Sequence, residues 1–224
     1  MQMFDFMLSQ LYCVTNEVDG RLGPEVDVRE RPKQIEELVE SAFARLAEGR
    51  AEDALSQADA ILIRDDALAD AHAIRALALT MLVRIEQSDA AFDRAAELDP
   101  DEYFRPYRLD ENDFDAAVEE VLSRLPRKFR DYLENVEIGV EEVPSPELIA
   151  DDTEFDVLGV YVGATALSDD WDFPDRVVLF QRNLENISPD RETLLSEIRD
   201  TLLHEVGHHF GMEEDALREI EDAG

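Results

Sequence analysis

The amino-acid sequence predicts an α+β fold: helical hairpins in the first half, then a small domain with a short, mostly antiparallel sheet and a long helix near the C-terminus. Three observations carry this. Small, aromatic and helix-ending residues recur with a shift of 34 positions between residues 35 and 102. Three short β-branched runs follow between positions 136 and 181, and an apolar-periodic segment opening at Ser188-Pro189-Asp190 ends in a cluster of histidines and acids. On this basis the 224 residues divide into an N-terminal segment 1–34, a helical module 35–110 and an α+β domain 111–224.

Residues 1–34 read as a short apolar helix followed by a turn at Gly20 and Gly23-Pro24 and a charged linker. From Ile35 the pattern is helical. Gly49 stands at a helix–helix turn, Ala54 falls in the next helix, and the shift places Ala76, Phe92, Ala95 and Asp99-Pro100 where a helical repeat needs small, aromatic and terminating residues. Proline ends a helix because it has no amide proton and pushes the residue before it out of helical geometry. This spacing resembles the tetratricopeptide repeat, well matched over 69–102 and degraded over 35–68, where Asp66 takes the proline position. The plainer reading is an alanine-rich helical hairpin with no binding role.

An amphipathic helix is predicted over Asp113–Leu125, stopped by Pro126, and a short one over Arg127–Leu133. Val136–Val143, Val157–Val162 and Arg176–Gln181 read as strands from their β-branched content. The last of these is the candidate sheet edge for a bound peptide. The next helix is expected to begin with Ser188 as capping hydroxyl, Pro189 in the first turn and Asp190 complementing the dipole, and to run to about Phe210 before Gly211.

Composition excludes several classes of function. The formal charge is −34, from 55 acidic and 21 basic residues, which repels nucleic acid and anionic membrane surfaces. No stretch reaches the eighteen or so apolar residues of a membrane helix. The N-terminus lacks a basic flank and a cleavage pattern, and Cys13 is the only cysteine, so the chain reads as cytoplasmic. Only Lys33 and Lys128 are lysines. Such an acidic, lysine-poor surface suits concentrated salt, and a GC-rich genome accounts for it equally well.

The chemistry concentrates in HEVGHHFGMEED at 204–215, which holds three of the four histidines. His204 and His208, four residues apart, lie one turn apart on one helix face and can offer two imidazole nitrogens to one ion at about 2.0–2.1 Å. Glu205 is placed to take a proton from a zinc-activated water and hand it to a leaving amine. Leu195, Ile198, Leu202 and Val206 form a separate stripe for packing. Gly207 leaves room beside the metal. His209, rotated about 100° from His208, is not a third ligand in that geometry. A catalytic zinc takes three protein ligands and an open position. Gly211 can reverse the chain in left-handed conformation and return Glu214, ten positions after His204, to the metal, with Asp215 as the alternative.

The segment from about Arg130 to Leu217 resembles the small bacterial zincin-like metallopeptidases, also called Asp-zincins or minimal zincins. The resemblance is carried by Leu158-Gly159-Val160-Tyr161, by Pro174–Phe180 and by the histidine cluster. It implies a compact α+β domain with one zinc held by two histidines and an acid. The family's aspartate stands where this chain has Glu214, and Asp215 follows. Peptide hydrolysis is the activity expected, with His204, His208 and Glu214 as metal ligands and Glu205 as general base, acting on a peptide or protein substrate that the helical module helps recruit. The alternative is a non-catalytic adaptor, stabilised by zinc, that binds protein partners through its helical repeats. Hydrolysis of another amide or an ester is a third reading.

Overall fold

The computed structural model describes residues 33–133, 136–145, 148–149, 154–163 and 175–209, with the backbone alone at Lys33, Lys128, Tyr132, His208 and His209. The described residues within Met1–Arg105 and Pro146–Asp156 form one compact unit, and those within Pro106–Ser145 and Val157–Gly224 a second.

The first unit contains α1 (Lys33–Ala47), α2 (Ala51–Leu62), α3 (Ala69–Met81) and α4 (Ile85–Leu98), each packed on the next. Close approach follows from small side chains: Ala42, Ala54, Ala58, Ala76 and Ala95 are fully buried. The two tight turns repeat each other. Gly49 after α1 has φ +71° and Val83 after α3 has φ +55°, 34 residues apart. Their hydrogen bonds repeat at the same shift, Gly49 N–H to Leu46 and Arg50 N–H to Arg45, then Val83 N–H to Thr80 and Arg84 N–H to Leu79. The 34-residue period read in the sequence is thus a period of backbone geometry. Between the second pair of helices, Ser88 Oγ donates to the Ala76 carbonyl at 2.9 Å and lies 2.8 Å from Thr80 Oγ1, so both buried hydroxyls are satisfied.

The second unit opens with α5 (Glu111–Arg124), capped by the Asp110 carboxylate accepting from Asp113 N–H at 2.9 Å, followed by α6 (Arg127–Leu133). Three strands follow, β1 (Glu137–Glu141), β2 (Gly159–Val162) and β3 (Arg176–Phe180), in the order β1-β3-β2. β2 and β3 are antiparallel, but β1 and β3 are parallel, so the sheet is mixed rather than mostly antiparallel. The chain runs up, down and up. Inserting the third strand between the first two makes it parallel to β1. This placement also corrects the expected edge: Arg176–Phe180 is the central strand, with Val177, Val178, Leu179 and Phe180 all buried. An unbroken apolar run signals burial on both faces. The edges among the described strands are β1 and β2.

After the short α7 (Gln181–Asn186), the chain enters α8 (Arg191–His209). Its cap is Asp190, not Ser188. Asp190 Oδ1 accepts from Thr193 N–H at 2.9 Å and Thr193 Oγ1 at 3.0 Å, while buried Ser188 donates its hydroxyl to the Leu184 carbonyl at 2.7 Å, closing α7. Leu194, Ile198, Leu202 and Val206 of α8 join Phe114, Val118, Phe129, Val177 and Leu179 in one apolar cluster; Leu195 is only half-buried and Leu194 takes its place in the stripe. Each large side chain so buried contributes roughly 1.5–3 kcal/mol. One carboxylate is buried beside it. The fully buried Glu185 carboxylate accepts from Gln181 Nε2 at 2.8 Å and Leu109 N–H at 3.0 Å and pairs with Arg182 at 2.9 Å and Arg108 at 3.2 Å.

Candidate metal centre

The end of α8 carries His204, Glu205 and His208, and the helix passes without interruption to His209. Two elements bring this turn to the sheet. The apolar stripe seats α8 against β3 and α5. Gly159 then admits β2, since a Cβ at this position would lie 2.7 Å from Thr201 Cγ2 and 3.0 Å from the Val178 carbonyl. Only glycine allows the strand so close.

The consequence falls one pleat further on. Tyr161 N–H donates to Glu205 Oε2 at 2.9 Å, fixing the carboxylate against the edge of the sheet. His204 and Glu205 are half-buried, and Val206 and Gly207 behind them are buried. Burial first, then the neighbouring Asp175 carboxylate, push the Tyr161 phenol far above its usual range. Gly163 leaves room for this pair, because a Cβ there would meet Asp175 Oδ1 and the Tyr161 ring. Tyr161 holds Glu205 directly, Gly159 lets β2 approach past Thr201, and Asp175 stands beside the Tyr161 phenol. Of these, Gly159 and Tyr161 lie in the Leu158–Tyr161 segment and Asp175 in the Pro174–Phe180 segment noted in the sequence; Thr201 carried no signal.

The backbone positions of His204 and His208 are one helical turn apart, the spacing at which two histidines of a helix can share one ion. Among the described residues no group of three potential metal-ligating side chains occurs. Gly211, Glu214 and Asp215 lie outside the described residues, so the expected third ligand does too. Further back on α8, Glu197 is raised above the usual carboxylate range by burial and then by the neighbouring charge of Asp200.

Residues 133–223 match the family described as zincin-like metallopeptidase. The match covers less than half of the chain and takes in the sheet and all of α8. No curated protein matches the chain. Among the described residues, no helix is long and apolar enough to cross a membrane.

Proposed function

We propose that the C-terminal domain is a zinc-dependent peptidase in which His204, His208 and Glu214 hold one ion and Glu205 serves as general base and then general acid. The observation that carries this reading is the hydrogen bond from Tyr161 N–H to Glu205 within a segment matching zincin-like metallopeptidases. It restrains the carboxylate of an HExxH helix beside β2, an edge among the described strands. When bound, zinc supplies Lewis acidity, polarising the scissile carbonyl and lowering the pKa of a water toward about 7. Glu205 takes that water's proton and returns it to the leaving amine. The Tyr161 amide holds the carboxylate so that no rotamer search precedes the transfer. β2, the edge beside α8, offers the backbone groups not committed to Glu205 to an extended substrate.

In the zinc-loaded protein, Glu205→Gln should lower cleavage of an unstructured protein such as casein by roughly 10²–10⁴-fold while leaving zinc content unchanged. Equal cleavage by both forms would end the peptidase reading. The repeated turns at Gly49 and Val83 favour a second role for the helical unit, as a tetratricopeptide-like surface for a protein partner. A protein that holds zinc but cleaves nothing would make that role the principal one and the chain an adaptor.

A further inference from the structure

The other edge of the sheet opens onto a groove of about 730 Å3 between α5, β1 and the start of α7. Its floor is apolar, from Val118 and Leu122 of α5 and Ile138 and Val140 of β1. The strand edge is also chemically open. Glu137 N–H bonds to the Asp175 carbonyl at 2.8 Å, so Glu137, Gly139 and Glu141 direct their backbone groups at the β3 side. Ile138 and Val140 direct theirs into the groove, where no partner occurs among the described residues.

The rim is acidic. Glu111, Asp115 and Glu119, at four-residue spacing, set a row of exposed carboxylates along α5, and none forms an ion pair among the described residues. Glu141 and Glu142 add two more from the strand side, already paired with Arg176 at 3.9 Å and Arg182 at 3.1 Å. Arg182, the one cation lining the groove among the described residues, is already bound to Glu185 at 2.9 Å and Glu142 at 3.1 Å. An extended segment here gains backbone hydrogen bonds from β1, an apolar contact on alternate side chains and a ring of carboxylates for cations.

We propose that this groove binds an extended segment of another protein that alternates apolar residues with lysine or arginine, added as a strand along β1. A second copy of the chain is disfavoured by its net charge of −34. The groove is separate from Glu205, which approaches β2 on the far side of β3, about 10 Å across the sheet. The inference therefore stands without zinc.

The test uses the full chain and a fluorescein-labelled decapeptide of alternating valine and lysine, read by anisotropy at low salt. Saturable binding is expected, weakened about tenfold in the combined variant Glu111→Gln, Asp115→Asn, Glu119→Gln, whose circular dichroism should match that of the native protein. Two further peptides, N-methylated on the odd or on the even residues, separate strand addition from charge attraction. One set should lose binding and the other keep it, because only alternate amides face β1. Glu205→Gln should bind as the native protein does. No binding, an unweakened triple variant, two methylated peptides that bind alike, or loss of binding in Glu205→Gln would each overturn the proposal.

Discussion

Val83 holds φ +55° with its side chain 49% exposed, where its repeat counterpart is Gly49. A β-branched residue in left-handed geometry costs roughly 1–2 kcal/mol, partly offset in a Val83→Gly variant by the larger entropy of the unfolded chain. Val83→Gly should therefore raise stability by about 1 kcal/mol in urea denaturation. Glu197 offers a pH test. Burial and then Asp200 raise its folded pKa above the ordinary 4.5, so ionising it costs stability. That cost is absent below the unfolded value, grows as pH climbs toward the raised folded value, and is constant above it. Glu197→Gln should raise Tm near pH 7 and leave it unchanged near pH 4. Single residues were unevenly legible. Gly49 was legible as a turn, whereas its copy at Val83, a β-branched residue with no turn signal, was not. Asp190 was assigned to the dipole rather than the cap, because sequence could not show that the Ser188 hydroxyl was already committed to Leu184. The partners of Glu185 come from Arg108, Leu109, Gln181 and Arg182, and the first two lie over seventy positions away, beyond any local pattern.

At the scale of elements, β2 and α8 form the critical contact, and Gly159 sets its closeness. A Gly159→Ala substitution forces its new methyl into Thr201 or the Val178 carbonyl. Overpacking of this kind costs about 1–3 kcal/mol. The shift also lengthens the Tyr161–Glu205 bond, so on the proposed function cleavage should fall by more than the loss of folded protein accounts for, measured as kcat against active-site titration. Helix limits were legible where caps and prolines mark them: Pro126 divides α5 from α6 as expected. Strand identity was legible as well, but strand order was not. Order depends on which strand the chain inserts between the others, and the only local trace was the unalternated Val177–Phe180 run of the central strand.

For the whole molecule, the two units divide the work by composition. The alanine-rich unit buries small residues between helices, and the second unit spends its large apolar side chains seating α8 against the sheet. The α+β class was readable because the hydrophobic period changes from 3.6 to near 2 between the halves. The proposed zinc motif lies within one helical turn, so a local pattern is enough to propose it. The central claim is that this fold presents a zinc site, and metal content tests it most directly. Purified in zinc-containing buffer and exhaustively dialysed, the native chain should retain one zinc by inductively coupled plasma mass spectrometry. His208→Ala should retain almost none, and Glu214→Gln should lose affinity while keeping the fold. A native chain without zinc, or an His208→Ala variant that keeps its zinc, would contradict the account.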